Sequence, residues 1–382
     1  MIPGLEFHPH PLPPETAAVR AKVRGFLAKQ IESGGFTPVS NAWAIPDAKF
    51  SRACGEAGFI AMTWPKAYGG HERTAFERYV VVEELLAAGA PCAYHWVADR
   101  QSGPQILRNG SERTKREILP QIAAGRCCFG IGMSEPDTGS DLASVRTKAE
   151  KVDGGWRITG RKVWTSNAHV ADYLIVLARS APLTERRHEG LTQFIVKVKD
   201  AAVGVRPIHN LAGAHEFNEV TLDEVFVADD FVVGEVGRGW GMVTSELAFE
   251  RSGPDRFLST LPLLALSLDE PAVRGDARAE EAIGRLIARV ASLRRMSISI
   301  AGMLEAGENP NQQAAMVKDL GTNFEQSIPE IVRLIAALSP RPDGSACARD
   351  LAHAMLHAPS FSLRGGTREI LRGIIARGMG LR

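Results

Sequence analysis

The residues that could carry chemistry gather in two stretches. The first is Ser134 to Asp141, Ser-Glu-Pro-Asp-Thr-Gly-Ser-Asp, a loop of short hydroxyls and carboxylates around one glycine. Such a loop leaves backbone N–H groups and hydroxyls for an anionic or heteroaromatic ligand, and Trp164 further on offers a flat apolar wall. An ordinary polar loop beside ordinary strands fits the same residues. The second stretch is Trp240 to Arg251, Trp-Gly-Met-Val-Thr-Ser-Glu-Leu-Ala-Phe-Glu-Arg. On a helix from about Trp240, residues Val243, Leu247 and Glu250 share one stripe, because steps of four and seven residues return nearly to the same angle. A carboxylate on a core-facing stripe is desolvated, and its pKa rises toward that of a working general base. Glu246, one turn earlier, competes on geometry, and an ion-paired or half-exposed Glu250 is the plainer reading.

The elements that must position these groups change character along the chain. From Pro14 to about Arg126 the pattern is helical: Thr16 to Ile31 and Ala75 to Ala90 carry apolar residues at three and four spacings. Between them Gly58 to Gly70 reads as a loop broken by Pro65, in which Trp64 and Tyr68 pin the loop to its own core more readily than they line a ligand. Gly103 to Gly125 reads as two helices split at Asn109-Gly110, with Ser111 as the cap of the second. At Cys128 the period falls to two. Trp156 to Thr159 and Lys162 to Thr165 alternate around Gly160-Arg161 and predict a hairpin. Similar runs follow at Tyr173 to Ala178, Gln193 to Val198 and Glu219 to Val227, a block of roughly 100 residues that reads as a small β-barrel or sandwich. A polar loop before a strand bearing an indole is also the layout of a flavin site built on a sheet. After Gly234 to Gly239 helical spacing returns, with breaks near Pro271, Asn309-Pro310 and Pro340 to Gly344. The fold class expected is α+β, mostly α, with a helical domain over 1–127, a β-domain over 128–236 and a helical bundle over 237–382.

The bulk numbers exclude several functions. A chain of 382 residues exceeds one core, and 45% hydrophobic with 23% charged residues is ordinary for a folded soluble protein. A net charge of +1 supplies no field to hold nucleic acid or a membrane surface. The five cysteines, Cys54, Cys92, Cys127, Cys128 and Cys347, form no Cys-x-x-Cys pair, so reduced thiols and no metal site are expected. The N-terminus lacks a basic start and an apolar core, and no run approaches ~20 apolar residues. A cytoplasmic setting is expected.

Six motifs in order then resemble the acyl-CoA dehydrogenases: Trp64-Pro65 to Tyr68-Gly69-Gly70, Ser134-Glu135-Pro136 to Gly139-Ser140-Asp141, Gly160 to Asn167, Phe217-Asn218-Glu219-Val220, Gly237 to Gly239, and Gly366-Thr367-Arg368-Glu369-Ile370. The resemblance covers nearly the whole chain. It implies an N-terminal helical domain, a middle β-domain and a C-terminal four-helix bundle holding FAD at a subunit interface. Residue by residue, it implies FAD contacts from Ile131, Met133, Ser134, Ser140, Trp164, Thr165, Ser166, Thr367 and Glu369. Ser134 stands where a Thr is usual and keeps the donor hydroxyl. Acyl-CoA contacts are implied for Ser140, Arg251 and Gly366. Thr367 also suits a plain helix N-cap, and Arg251 a structural ion pair.

The chemistry implied is α,β-dehydrogenation of an acyl-CoA thioester: a carboxylate takes the α-proton while the β-hydrogen leaves as hydride to flavin N5. Many members place that carboxylate directly before the final Gly-Thr, where this chain has Gly365. Other branches place it on the helix after the β-domain, where this chain has Glu250, and the resemblance favours Glu250 over Glu246. The chain departs from the family in two places. Neither Arg-x-x-Phe-Gly, expected in Ser267 to Gly284, nor Gln-x-x-Gly-Gly-x-Gly, expected in Ala337 to Gly344, survives. Such losses occur in enzymes built from two homologous chains, so a homo- or hetero-oligomer, dimer or tetramer, is implied, with an electron-transfer flavoprotein as acceptor. Two other readings use the same fold: a flavin monooxygenase or oxidase, and a partner subunit of a heteromeric acyl-CoA dehydrogenase.

Overall fold

The computed structural model of the protein describes residues 6–243, 251 and 253–381. Glu246 and Glu250 lie outside the described residues. The backbone packs as two compact units that interleave along the chain, one from Met1–Ala44, Arg73–Pro91 and Ala248–Arg382, the other from Ile45–Glu72 and Cys92–Leu247. In chain order the helices are α1 (Thr16–Glu32), α2 (Ala48–Glu56), α3 (Ala75–Ala87), α4 (Ala93–Val97), α5 (Gly103–Asn109) and α6 (Glu112–Ala123). After the strands come α7 (Leu261–Ser267), α8 (Ala277–Glu305), α9 (Asn311–Ile335), α10 (Ala346–His357) and α11 (Arg368–Gly378). Among the described residues no helix is long and apolar enough to cross a membrane.

The first unit is helical. Its helices start at local signals: Thr74 and Glu77 form a reciprocal capping box on α3, Asp276 caps α8, and Ser345 caps α10. Two carboxylates buried on α3 would be costly alone, yet Glu83 accepts Arg20 of α1 and Arg294 of α8, and Glu84 accepts Arg20 and Arg24. The long α9 supplies Phe324, Ile328 and Val332, each without exposure, to the core.

The second unit places short helices beside a sheet of eight strands: β1 (Phe129–Gly132), β2 (Lys148–Val152), β3 (Gly155–Lys162), β4 (Tyr173–Arg179), β5 (Leu191–Lys197), β6 (Val203–His209), β7 (His215–Ala228) and β8 (Val232–Val233). Their order is β6-β7-β3-β2-β4-β5-β8, with β1 pairing parallel to β4. Among the described residues no ladder joins β6 to β8, so the expected barrel is an open sheet. The strands β4 and β5 are buried along nearly their whole length, β4 as its apolar run requires, β5 with Thr192 and Gln193 buried among its apolar residues. The expected hairpin at Gly160-Arg161 does not form. Both residues continue β3, pairing with Leu222 and Thr221 of the longer β7 across a register shift. The turn lies earlier, where Gly154 at φ +69 lets β2 return antiparallel as β3. As expected, Ser111 caps α6 by accepting from Thr114 N–H. Trp64 is buried with its ring over Gly103, where a Cβ would meet it at 2.1 Å, and Tyr68 hydroxyl donates to Glu112 at 3.0 Å. Both aromatics therefore serve their own loop. All five cysteines are free, buried thiols.

Candidate functional site

The shelf on the sheet is built where β3 ends. Inward-facing positions of β3 run Ile158, Gly160, Lys162, so a lysine side chain enters the interior. Lys162 has no exposure, and its Nζ donates to Met133 C=O at 3.1 Å and Glu135 Oε1 at 2.9 Å. Glu135 also accepts Arg146 N–H at 2.7 Å and Thr147 N–H at 2.8 Å. Burial pulls the Lys162 ammonium down to about 8 against the opposing pull of Glu135. Burial pushes the Glu135 carboxyl up, but Lys162 and the two backbone donors more than offset this and hold it below its ordinary value. The pair thus fixes the start of the Ser134 to Asp141 loop. Val163 N–H donates to Ser134 C=O at 2.9 Å, and paired backbone bonds between Glu135 and Thr138 close the loop on itself.

Directly after this tie the chain kinks. Trp164 at φ 59 and Asn167 at φ 56 occupy the left-handed region, which bulky residues avoid unless the surroundings impose it. The kink lifts the indole clear of the sheet: Trp164 is 59% exposed and meets Phe217 edge-on, ring centroids 6.0 Å apart. Thr165 turns inward and is fully buried, yet its Oγ1 has no hydrogen-bond partner. The same holds for the buried Asn167 Oδ1 and for Thr138 Oγ1 in the tied loop. A buried polar atom without a partner costs roughly 1–3 kcal/mol, so the two in the kinked segment, beside an exposed indole, mark a place for a polar heteroaromatic ligand. An isoalloxazine ring, flat and rimmed with hydrogen-bonding atoms, fits that demand. Of the other residues expected here, Ile131 lies on β1 opposite Ile175, and Ile131, Met133, Ser134 and Ser166 are half-buried. Ser140 is exposed.

The other expected residues lie in the first unit. Arg251 is 2% exposed, and its Nε donates to Gly365 C=O at 3.0 Å. Lys318 of α9, with no exposure, donates to Gly366 C=O at 2.6 Å. Both glycines have positive φ, +66 and +95, which turns consecutive carbonyls toward the two buried cations. A Cβ on Gly366 would lie 3.2 Å from an Arg251 guanidinium nitrogen. The preceding Arg364 is stacked 4.5 Å from Trp43 and 4.4 Å from Phe361, and it pairs at 3.0 Å with Glu325. Glu325 has no exposure, and burial raises its carboxyl against the counter-pull of Arg364. Thr367 is the N-cap residue of α11, but its hydroxyl makes no capping bond. Glu369 is exposed, and hydrogen bonds from its own N–H and from Thr367 hold its carboxyl low.

Lys318, Lys162, Glu325 and Arg364 were not among the residues the sequence singles out. A signal existed for two of them. Lys318 interrupts the small and apolar stripe Ala314, Ala315, Gly321, Thr322 on α9, and Lys162 interrupts an inward-facing alternation.

Domain models of the acyl-CoA dehydrogenase family match most of the chain, leaving residues 226–273 uncovered: the N-terminal domain over residues 13–126, the middle domain over 130–225 and the C-terminal domain over 274–380. The chain is 33% identical over 376 residues to acyl-CoA dehydrogenase FadE34 of Mycobacterium tuberculosis, across 94% of its own length, and spans about half (51%) of that protein. It is 32% identical to acyl-CoA dehydrogenase IpdE1 of the same organism, covering 94% of this chain and 95% of IpdE1. Among solved structures, the Tcur3481-Tcur3483 steroid ACAD superposes with a TM-score of 0.85 at 25% identity over 97% of this chain and 98% of that one. The ChsE4-ChsE5 complex from Mycobacterium tuberculosis superposes with a TM-score of 0.81 at 26% identity over 97% and 98%.

Proposed function

We propose that this chain, which belongs to the acyl-CoA dehydrogenase family, introduces a double bond between the α and β carbons of a bulky acyl-CoA thioester. The family is one of oxidoreductases with FAD as cofactor. The single observation that carries the assignment to this chain's own residues is the orphaned hydroxyl of Thr165 beside the exposed indole of Trp164. On this reading the indole packs on the flavin ring, while Thr165, Ser166 and Ser134 satisfy its polar edge. Ile131 and Met133 line the same shelf, Ser140 reaches both cofactor and substrate, and Thr367 and Glu369 are further FAD contacts. Arg251 and Gly366 contact the acyl-CoA.

Bound FAD supplies a two-electron acceptor for the β-hydrogen, which leaves as hydride. The protein's own task is to take the α-proton and to keep the thioester oriented. Glu250 is the proposed base; it lies outside the described residues, and its assignment rests on the resemblance to family branches that carry a carboxylate at this point after the β-domain. Gly365, standing where many relatives carry the base, has no side chain to offer. The thioester is thereby oxidised to the enoyl-CoA, and an electron-transfer flavoprotein is the proposed onward acceptor.

Two observations support the bulky acyl group and a second chain. The structural relatives include one described as a steroid ACAD and another described as a complex of two chains. The two family motifs missing from this chain are ones that a neighbouring subunit uses to hold FAD. We propose a hetero-oligomer in which this chain contributes the base. The test is anaerobic addition of an acyl-CoA panel, including steroid-acyl thioesters, to the purified protein with FAD. Bleaching of the flavin by one class of thioester supports the reading. Reduction only by an external reductant would move the chain to oxidase or monooxygenase chemistry, and a complex with a homologous subunit whose bleaching is unchanged by Glu250→Gln would make this chain the non-catalytic partner.

A further inference from the structure

Contacts from β7 and from the segment that follows β3 converge on one buried carboxamide. The kinked segment Trp164 to Asn167 holds its two left-handed residues by bonds to β7: Thr165 N–H donates to Asn218 C=O at 3.1 Å and Asn167 N–H to Glu216 C=O at 2.8 Å. The side chain of Asn218, which has no exposure, closes the same ring, its Nδ2 donating to Thr165 C=O at 3.0 Å. That bond fixes the amide's orientation, because the flipped amide would set Oδ1 against a carbonyl oxygen. Asn218 Oδ1 then faces His215 Nε2 at 2.7 Å, so His215 must carry a hydrogen on Nε2. The remaining Nδ2 hydrogen faces His169 Nδ1 at 3.3 Å, where His169 must offer its lone pair. The two imidazoles stack, centroids 3.8 Å apart and 24° from parallel. Every donor in this chain of contacts meets an acceptor in one arrangement only.

We propose that Asn218 is a positioning residue of the flavin shelf: its carboxamide, oriented by the stacked His215 and His169, holds the kink that presents the Trp164 indole and the Thr165 hydroxyl. The proposal rests on the FAD reading above. It acts through backbone geometry, since Asn218 itself reaches the Thr165 carbonyl and not the ring.

The test uses the full-length protein in its purified assembly and four variants. Asn218→Asp keeps an oxygen for His215 but sets a carboxylate oxygen against Thr165 C=O. His215→Ala removes the donor to Asn218, whereas His215→Gln can place an amide N–H at the position of Nε2. His169→Asn keeps an acceptor near Nδ1. For Asn218→Asp and His215→Ala the dissociation constant for FAD, read by flavin fluorescence, should rise about 10-fold or more, and the resolved visible band of bound flavin should broaden. His215→Gln and His169→Asn should return to within about 3-fold of the wild type. Amide hydrogen exchange measured without FAD should rise about 10-fold over residues 163–169 in Asn218→Asp and stay level over β4 and α1. Wild-type affinity, band shape and exchange in Asn218→Asp would overturn the proposal, as would His215→Gln behaving like His215→Ala. A wild-type protein that takes no FAD sinks the cofactor reading alone, and the exchange comparison still decides the role of Asn218.

Discussion

Lys162 Nζ lies 2.9 Å from Glu135 Oε1, with the lysine side chain wholly inside the sheet and the carboxylate only 7% exposed. The pair joins β3 to the loop that opens the shelf, so its loss should be felt both in stability and in the ligand. Breaking a buried pair by removing one partner costs about 3–5 kcal/mol, because the other charge is left uncompensated. Lys162→Met and Glu135→Gln should each lose stability of that order in urea denaturation. The double variant should lose clearly less than the sum. Strict additivity would show that the two side chains do not act as a pair.

The same pair gives a pH signature at its alkaline side. Lys162 has a folded value of about 8 against the ordinary 10.5, so between those values the unfolded chain holds more protons. The cost of burying the ammonium is therefore present in full below about 8 and relieved as pH rises toward 10.5. Glu135 works the other way: its value lies below the ordinary one, so its contribution is present above the usual carboxylate range and lost as pH falls through the lowered value. Stability of Lys162→Met, measured between pH 7.5 and about 10, should show a shallower upward slope than the wild type. Equal slopes would place Lys162's titration elsewhere.

Glu250→Gln should keep bound flavin and lose substrate bleaching by about 100-fold or more, the usual worth of a general base. Glu246→Gln is the matched control four residues earlier in the chain and should retain bleaching within a few-fold. Stopped-flow absorbance of the flavin under anaerobic acyl-CoA distinguishes them. The reverse pattern would move the base to Glu246.

How much of this was legible beforehand follows from what each element depends on. The start of α6 was readable because Ser111 acts on its own next turn, a local effect, whereas the caps Thr74 and Asp276 were not singled out. The hairpin at Gly160-Arg161 was misread because glycine there signals a turn locally, whereas the 14-residue β7 offers a partner along the whole of β3. Closure of the sheet is decided by its edge strands and was beyond any short-range pattern. On the shelf, Trp164 and Thr165 were found through their motif, but the left-handed turn at Trp164 was not, since tryptophan does not favour φ above zero. The buried lysines were missed for a similar reason: Lys162 and Lys318 are tolerated only through partners distant in sequence, Glu135 and the Gly366 carbonyl.

Gly366 should not accept a side chain. Its φ of +95 disfavours any L-residue, and a Cβ would stand 3.2 Å from the Arg251 guanidinium, which is itself held by Gly365 C=O. Gly366→Ala should cost on the order of 1–3 kcal/mol through backbone strain alone. It should also raise the KM for acyl-CoA if Arg251 contacts the thioester, because the guanidinium has to give way. Gly373→Ala on the adjoining α11, where the nearest atom to a new Cβ is 3.9 Å away on a flexible arginine, is the control and should be neutral or slightly stabilising. Matching melting temperatures and KM values for the two variants would remove Gly366 from the acyl-CoA site.

Acid stability should carry the mark of His95. It is 4% exposed on α4, its Nδ1 is 3.2 Å from Ser51 Oγ, and burial lowers its imidazole to about 4, with Asp99 opposing. The unfolded chain binds the extra proton between the ordinary value near 6.5 and the folded value near 4, so stability falls as pH drops through that window. The slope for one such group is about 1.4 kcal/mol per pH unit, and His357, likewise lowered to about 4 by burial, adds a second in the other unit. Carboxylates held low, such as Glu135, lose their contribution only below the usual carboxylate range, which separates the two effects. His95→Gln keeps a hydrogen-bonding group for Ser51 and cannot titrate. Its unfolding free energy, followed by denaturant titration from pH 7 to about 4.5, should show a slope smaller than the wild type's by about 1.4 kcal/mol per pH unit. An unchanged slope would mean that His95 is already charged in the folded protein, and Asp99 would then be its partner.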